Sequence, residues 1–448
     1  MKIQKIVLSI ITSISSITPI QLILFLTLFL PIFDFTDNTI LNIIRHALLR
    51  FIIGYIAIYT LIILSQQKAL LRFPSLNFEK PLLLYTVTIV ISVVFSLLKS
   101  QMIFTRALFS VLTYPLLIVT FYVIPFWFDT KTLQVRIARY LIYSFYWTII
   151  LSIILVLLSF FSPSLFGFTR LSSIFHDPNI FARFLLFGIF YMLSFYFFDT
   201  TNTFRKNHLI IFCLLALICL VLTLSRSSLL TLMFGIIVFA FLLKNRKKEF
   251  LTISVVLIIC IVAIIIIFIL RIESNAQSAV LELSTFNRLQ ILIGGIDILK
   301  KNWLFGIGYT NFQNFYASNY MQNAMSMTLE MYEQKGFTVS MHNWFLEVFC
   351  EQGIFGLIGF IWFFYSFFKE LVRSIKNTND RFYKPLLIGH SFLLATYLIQ
   401  GFFYHTFISL FSFWIYAGFA VSTIKAAEKI ALKDKQDNAI LSFSDLIL

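Results

Sequence analysis

The chain has 448 residues, of which 59% are hydrophobic and 12% are charged, and its mean hydropathy is +0.90. These values exclude a soluble, disordered or collagen-like protein, and a disulfide scaffold is excluded because all four cysteines lie inside apolar runs. The net charge of +15 would suggest a nucleic-acid partner in a soluble chain, but cytoplasmic loops of membrane proteins collect Lys and Arg, so no nucleic-acid partner is predicted.

Apolar stretches predict an all-α polytopic membrane protein with about twelve spans, since a crossing helix needs roughly 20 apolar residues. The first residues show no cleavage-site pattern, so no removable signal peptide is expected. The predicted spans, with boundaries loose by a few residues, are 17–35, 47–65, 81–98, 107–128, 140–161, 180–198, 208–224, 228–243, 250–270, 343–368, 385–400 and 401–423.

These spans divide the chain into five parts. Residues 1–160 hold the N-terminal spans, and 161–270 hold spans with outer-loop arginine motifs. Residues 271–341 form a long extracytoplasmic loop with short surface helices, 342–424 hold the C-terminal spans, and 425–448 form a tail. Placing both termini in the cytoplasm puts about two thirds of the Lys and Arg residues inside, including KNRKK from Lys244.

Polar residues of chemical interest collect on the predicted outer side. The loop after the fifth span reads RLSSIFHDPNIFARF, from Arg170 to Phe184. Asp177, Pro178 and Asn179 could simply turn the chain and cap the next helix. A turn does not need Arg170 and His176 beside it, so Arg170, His176 and Asn179 are substrate-binding candidates.

Arg226 lies in the turn TLSRSS between two apolar runs, so its guanidinium is expected at or just under the outer membrane surface. The alternative is snorkelling, with the stem in lipid and the head in water. A planar fork with five donors is, however, a natural partner for phosphate in a partly dry site, and we favour that interpretation.

The long outer segment begins with apolar residues at three- and four-residue spacing, which predicts a helix lying at the membrane surface with Arg288 on another face. Arg288 alone could be a solvated residue of that helix. The following FGIGYTNF, from Phe305 to Phe312, brings a glycine turn beside Tyr309 and Asn311, side chains of a kind that contacts sugars. The apolar positions are Leu289, Leu292, Ile296 and Leu299.

His342 is predicted to start the helix at the outer end of the tenth span, and Asn343, Glu347 and Glu351 follow at four-residue intervals on one face. Because buried carboxylates are costly, this stripe predicts an outward-facing polar cavity. His342 could instead be an interfacial helix-start residue. Three glycines at three-residue spacing, Gly353, Gly356 and Gly359, predict close packing of another helix just beneath.

These motifs, in this order, resemble the O-antigen ligase and polymerase family of bacterial envelope glycosyltransferases. The resemblance runs from about Arg170 to Gly359, and its strongest parts are SRS (from Ser225) and HNWFLEVFCEQGIFG (from His342), joined by the long loop with NR (from Asn287) and FGIGYTNF. It implies an enzyme in the bacterial cytoplasmic membrane that transfers a glycan from a polyprenyl diphosphate to an acceptor hydroxyl on the outer side.

The resemblance also implies which residues form the active site and what each of them does. Arg226 and Arg288 would stabilise the leaving diphosphate, with Arg170 in support, and His342 would act as general base or orient the hydroxyl. Glu347 would fix the surroundings of His342. No cofactor or metal is expected, because the outer segment lacks metal ligands at usable spacing. The remaining substrate-binding candidates are His176, Asn179, Tyr309, Asn311 and Asn343.

The family contains polymerases, which extend a lipid-linked repeat, and ligases, which hand the chain to a lipid or protein acceptor. Richness in Ile, Phe, Lys and Asn loosely suggests an AT-rich genome, common in Gram-positive bacteria without lipopolysaccharide, and favours a polymerase of capsular, exo- or teichuronic-type polysaccharide. The expected partners are the donor, a glycan or lipid-linked acceptor and membrane lipid. Association with other polysaccharide-export proteins is left open.

A polysaccharide flippase or transporter is the competing class, since twelve spans are typical of carriers. Its expected marks are ionisable residues deep in several spans and similarity between two halves. Only Glu347 and Glu351 among the carboxylates lie clearly inside a predicted span, and the long outer loop breaks any symmetry between halves.

Overall fold

The computed structural model describes residues 18–29, 39–66, 77–162, 170–175, 177–243, 275–321, 341–403 and 411–444, with isolated positions between 248 and 262. Within these ranges every regular element is helical, as predicted. The helices are α1 (Pro19–Phe29), α2 (Thr39–Gln66), α3 (Glu79–Leu98), α4 (Phe104–Trp127), α5 (Lys131–Phe161), α6 (Pro178–Phe198), α7 (Lys206–Leu222), α8 (Arg226–Leu242), α9 (Asn275–Asn302), α10 (Phe312–Tyr316), a π-helical turn (Ala317–Met321), α11 (Trp344–Asn377), α12 (Tyr383–Gly401) and α13 (Phe411–Ser444).

Among the described residues, five helices are long and apolar enough to cross a membrane: Leu48–Gln66 of α2, and α3, α5, α6 and α11. Shorter apolar helical segments lie in α1, α4, α7 and α8. A polytopic α-helical membrane protein is therefore confirmed. Each predicted span overlaps one of the helices except the ninth (250–270), which apart from isolated positions lies outside the described residues.

Helix α6 is the centre of the bundle, and almost all of its side chains are buried. It packs most extensively against α12 and α7. Aromatic pairs form much of the contact with α12, such as Phe190 with Phe392, whose ring centroids are 4.9 Å apart. Gly389 lets the two helices approach, because a Cβ there would lie 2.7 Å from the ring of Tyr191.

The outer helices keep large apolar side chains exposed. These residues would be unfavourable in water, but hydrocarbon tails cover them in a membrane. The exposed set includes Phe51 in α2, Leu83 in α3, Leu157 in α5 and Phe234 in α8. Three cysteines, Cys213, Cys219 and Cys350, are free and buried, as expected of small hydrophobic side chains.

Hydrogen bonds and ion pairs define two ends of the bundle. At one end, which we call the motif end, α6, α8 and α11 begin and α7 and α12 finish. At the opposite end Lys131 pairs with Asp380 at 2.7 Å, and Lys429 lies 3.4 Å from Asp129. The loops that the sequence assigns to one side of the membrane therefore meet at one end of the fold.

Helix α9 forms where the sequence predicts the surface helix, but its predicted apolar stripe is divided. Leu292 and Leu299 pack into a small second core with Ile298, whereas Leu289 and Ile296 are exposed. The division arises because α9 contacts α11 along one side, and an amphipathic helix buries only the face in contact.

Candidate functional site

The DPN turn caps the central helix. The carboxylate of Asp177 accepts hydrogen bonds from the backbone N–H groups of Asn179 and Ile180, and Pro178 occupies the first helical turn. The cap satisfies donors that α6 would otherwise leave free at its N-terminus. The capping interpretation of this motif is therefore confirmed. His176, the neighbouring candidate, lies outside the described residues.

Asn179 joins two loops at the motif end. Its Oδ1 accepts from Nη2 of the Arg170 guanidinium at 3.1 Å and from the hydroxyl of Ser225 at 2.9 Å. The Nε of Arg170 also donates to the carbonyl oxygen of Thr223, at 2.9 Å. These contacts hold the DPN loop against the SRS turn, so they favour a supporting role for both residues.

Arg226 is the first residue of α8 and its side chain is exposed, while Ser225 and Ser228 beside it are buried. Leu224 adopts a left-handed conformation (φ 52°) that turns the chain into the helix. Gln400 at the end of α12 donates to Ser228 Oγ at 2.7 Å, and Ser228 Oγ lies 3.0 Å from Ser225 Oγ. The backbone that carries Arg226 is therefore held on two sides.

The position of Arg226 favours an anion. A helix N-terminus carries a partial positive charge, so a cation there is disfavoured by about 0.3–1 kcal/mol in the absence of a negative partner. A phosphate group at this point would interact with the guanidinium and with the free N–H groups of the first turn. The exposed head of Arg226 is available for such a contact.

His342 stands just before α11, in a left-handed conformation (φ 51°). Asn343 is the N-cap, because its side chain accepts from the N–H of Leu346 at 3.1 Å. The role of starting the helix therefore belongs to Asn343, and His342 is left in the bend that precedes it.

Charged residues from two other motifs affect the pKa of His342. Burial, and to a smaller extent the positive charge of Arg288, lower the pKa of His342 to about 4, while the carboxylate of Asp177 opposes this shift. Coulombic effects of this kind require that the groups lie close together. The structure thus brings α9, the DPN turn and the start of α11 together, although they are far apart in sequence.

Glu347 is half-buried in the first turn of α11. Glu351, one turn deeper, is 3% exposed, and its carboxylate accepts from the N–H of Phe312 at 3.1 Å. The residues that follow Gly308 thus occupy the space where the sequence predicts a polar cavity. That prediction is wrong at Glu351, because this carboxylate bonds to protein backbone.

Tyr309 and Asn311 are both buried. The ring of Tyr309 lies 5.7 Å from that of Tyr114, and burial raises the pKa of its phenol well above the usual value. The amide nitrogen of Asn311 donates to the carbonyl oxygens of Gln101, at 2.9 Å, and Ile307, at 2.8 Å. These contacts favour a structural role for the two residues in place of the predicted sugar contact.

Only one of the three glycines in α11 acts as predicted. A Cβ at Gly359 would lie 3.1 Å from the backbone of Tyr85, so this glycine permits close packing of α3. Gly356 faces its own helix, at Gln352, and Gly353 faces the backbone of Leu304 in the preceding loop.

Sequence reasoning missed Gln400 and Arg183. Gln400 was available as a polar residue at the end of an apolar span. Arg183 is 3% exposed within α6, and its guanidinium carbon lies 5.3 Å from the ring centre of Tyr397 in α12. An ionisable residue inside a span is the signal that could have identified it.

The fold and the site together define a multi-pass membrane protein with two arginines and a histidine presented by separate elements at one end. Residues 211–361, which include Arg226, Arg288 and His342, match the family model described as O-antigen ligase. The resemblance to the O-antigen ligase and polymerase family is therefore confirmed.

A curated relative is the teichuronic acid biosynthesis protein TuaE of Bacillus subtilis (strain 168). It is 24% identical over 282 residues, which cover 58% of this chain and 52% of that protein. The alignment thus spans about half the length of the relative.

Proposed function

We propose that this protein is an extracytoplasmic glycosyltransferase that polymerises oligosaccharide repeats, carried on polyprenyl diphosphate, into a surface polysaccharide. The observation that carries the proposal is that the charges of Arg288 and Asp177 both act on His342, at the end of the bundle where the side chain of Arg226 is exposed. Glycosyl transfer from a diphosphate uses a proton acceptor for the attacking hydroxyl and positive charge for the leaving diphosphate. The family match over 211–361 supports this chemistry.

In the proposed reaction an acceptor hydroxyl oxygen attacks the anomeric carbon of the donor glycan. A new carbon–oxygen bond forms as the bond from that carbon to the diphosphate oxygen breaks. The hydroxyl proton passes to His342, and the electron pair leaves with the polyprenyl diphosphate. Arg226 and Arg288 bind the diphosphate and stabilise the charge that develops on it. One such displacement inverts the anomeric centre.

The lowered pKa of His342 suits this role in one respect and limits it in another. A pKa of about 4 keeps the imidazole neutral near pH 7, as a proton acceptor must be. So low a pKa also makes a weak base. A bound diphosphate adds negative charge beside Arg288, and this charge raises the pKa of His342 toward the operating pH.

The remaining candidate residues support the proposed catalytic residues His342, Arg226 and Arg288. Arg170 and Asn179 hold the loop that carries Asp177, and Asn343 fixes the bend at His342 by capping α11. Glu347 lies in the first turn of α11, one turn from this cap, where it fixes the surroundings of His342.

We also propose the finer topology. Twelve spans with both termini in the cytoplasm put the motif end on the outer side of the bacterial membrane. In that orientation the Lys131–Asp380 and Lys429–Asp129 pairs lie on the cytoplasmic side, where basic residues concentrate. The overlap of described helices with the predicted spans supports this arrangement.

The choice of polymerase over ligase is supported by the likeness to a protein of teichuronic acid biosynthesis. The ligase alternative, in which the glycan passes to a lipid or protein acceptor, is favoured by the description of the matching family model. Purified protein supplied only with a lipid-linked repeat distinguishes the two. A polymerase makes a ladder of lengths from this single substrate, whereas a ligase needs a second acceptor.

The test of the site compares three Arg-to-Lys variants in that assay, because Lys keeps the charge and loses the bidentate fork. Arg226→Lys and Arg288→Lys are each expected to lower kcat/KM at least about tenfold, equivalent to ~1.4 kcal/mol of transition-state stabilisation. Arg205→Lys, at the start of α7 and away from the motif end, is the control and stays unchanged. Full activity of both site variants refutes the diphosphate role.

A transporter would behave differently in a labelling experiment. If the site always faces outward, cysteines placed at 226 and 342 in a cysteine-free background react only with a reagent added from outside. Labelling from both sides would favour a flippase.

A further inference from the structure

Helix α11 is broken at Gly353, among buried residues. Gly353 has φ 69° and ψ −170°, which interrupts the helical hydrogen bonds between the two segments that flank it. The break leaves the carbonyl oxygens of Cys350 and Glu351 free to accept from elsewhere.

A segment of the preceding loop fills the break. Residues 303–312, which we call the docked segment, connect α9 to α10. The N–H groups of Ile307 and Gly308 donate to the carbonyl oxygens of Cys350, at 3.0 Å, and Glu351, at 2.9 Å. The N–H of Ile354 donates in return to the carbonyl of Trp303 at 2.8 Å. The docked segment therefore bonds to both sides of the break.

Glu351 makes a further set of contacts with its side chain. The carboxylate accepts from the N–H of Phe312 at 3.1 Å, and the backbone groups of Thr310 and Asn311 also bond to it. Thr310 has a left-handed conformation (φ 61°), which turns successive N–H groups toward one point. Such a concave array of amides offers several donors to one side chain, and it compensates the buried carboxyl group for lost hydration.

The docked segment continues directly from α9, the helix that carries Arg288. Arg288 lies 14 residues before Asn302, the last residue of α9, so the distance along the axis is roughly 21 Å. A tilt of about 5° at the docked end would move Arg288 by about 2 Å. Displacements of about 1 Å at a reacting group already cost about a hundredfold in rate.

We propose that Glu351 is a positioning residue that holds Arg288 in place relative to His342 through the docked segment. Glu351 lies in α11, the helix that Asn343 caps beside His342. Its carboxyl group accepts hydrogen bonds from the docked segment, which continues from α9. The docking therefore ties the two reacting groups to one rigid element. The proposal rests on the function proposed above for Arg288.

The first experiment measures docking without reference to activity. Ile307 is fully buried in the docked segment, so Ile307→Cys in a chain without other cysteines should react slowly with a membrane-impermeant maleimide. Adding Glu351→Gln replaces one acceptor oxygen of the carboxyl group with an NH2 group that cannot accept, at nearly constant shape, and labelling should accelerate at least about tenfold. Equal labelling rates overturn the proposal.

Glu370→Gln is the matched control. Glu370 is also a buried glutamate of α11, at the opposite end, where it accepts from Asn77 at 3.1 Å. Labelling of the cysteine introduced by Ile307→Cys and the basal activity should both remain unchanged in this variant. If Glu351→Gln does not fold, Glu351→Asp keeps the carboxyl group but shortens the side chain, and it should give intermediate labelling.

The second experiment is a double-mutant cycle on kcat/KM. If Glu351 acts through Arg288, the effects of Glu351→Gln and Arg288→Lys are less than additive, while Glu351→Gln and Arg226→Lys are additive. A role in folding alone would give the same coupling with both arginines and would overturn the proposal. If Arg288→Lys has no effect by itself, the proposed function fails, and the labelling result still shows separately whether Glu351 holds the segment.

Discussion

Replacing Gly353 with alanine should separate the docked segment from α11. A Cβ at this position would lie 2.2 Å from the carbonyl oxygen of Leu304 and 2.4 Å from its carbonyl carbon. Both atoms belong to backbone, so no side-chain rotation can relieve the overlap. The conformation itself, φ 69° and ψ −170°, is one that only glycine adopts readily.

The cost can be worked out from these contacts. Strain in this region of backbone space amounts to about 1–3 kcal/mol. In the wild-type protein the docked state is stabilised by three backbone hydrogen bonds, made by Ile307, Gly308 and Ile354, each with a net value of about 0.5–1.5 kcal/mol. In Gly353→Ala the strain and the overlap with Leu304, which costs a further ~1–3 kcal/mol, act only on the docked state. Together they offset a stabilisation of that size, so the undocked state becomes populated.

The assay combines maleimide labelling of Ile307→Cys with the polymer ladder at matched membrane abundance. Gly353→Ala should give fast labelling and almost no polymer. Gly54→Ala in α2 is the control, since a Cβ there meets nothing within 4 Å and alanine favours a helix by up to about 1 kcal/mol. Slow labelling and a normal ladder from Gly353→Ala, as from the control, would refute the account of the break.

Three further predictions concern the chemistry. His342→Ala should abolish polymer while the protein still binds lipid-linked donor, and His342→Asn should be equally inactive although Asn tolerates the left-handed bend. In the wild-type protein kcat/KM should stay flat from about pH 7 to about pH 5, because the acid limb reports the free-enzyme pKa of about 4. Activity should persist in excess chelator, since in the sequence of the outer segment Glu330 and Glu333 stand without other metal ligands nearby and His176 is distant from them.

Each of these has a contrary outcome. Near-normal chains from His342→Asn would exclude the general-base role, and loss of donor binding in His342→Ala would mean that the arginines do not bind the donor alone. A decline in kcat/KM centred near pH 6.5 would indicate a histidine with an ordinary pKa. Complete loss of activity on chelation, restored by one divalent ion, would replace the arginine-only account of diphosphate stabilisation.

The helical architecture could be predicted because span length and hydropathy follow directly from bilayer thickness. The positions of α6 and α8 were predictable for a second reason. The start of α6 carries a local signal, the DPN cap, whose hydrogen bonds lie within the turn. The start of α8 is marked by the polar turn TLSRSS between two apolar runs.

The environment of Glu351 could not be predicted. The sequence places it on one stripe with Asn343 and Glu347, which suggests a shared aqueous cavity. The structure places it against the amides of Phe312 and its neighbours, because Gly353 breaks the helix and admits a loop. A glycine in a helical pattern gives no local sign of whether it accepts another helix or an extended segment.

The hydrogen bonds that link Asn179 to Ser225 and Gln400 to Ser228 could not be predicted from the sequence either. These residues come from three helices and are far apart in sequence, so their hydrogen bonds depend on the tertiary packing of α6, α8 and α12. The proximity of Arg288 and Asp177 to His342 has the same origin.

The contact between Arg183 and Tyr397 bears on how the chain assembles during synthesis. The two residues are about 210 positions apart, and translation at about 5–20 residues per second separates their emergence by about 10–40 s. During this interval α6 is in the bilayer without α12, and the long stem of Arg183 allows its charge to reach the headgroup layer. The contact of the arginine with the ring of Tyr397 can form only after α12 has been synthesised, so the centre of the bundle is completed only when the last quarter of the protein has been inserted.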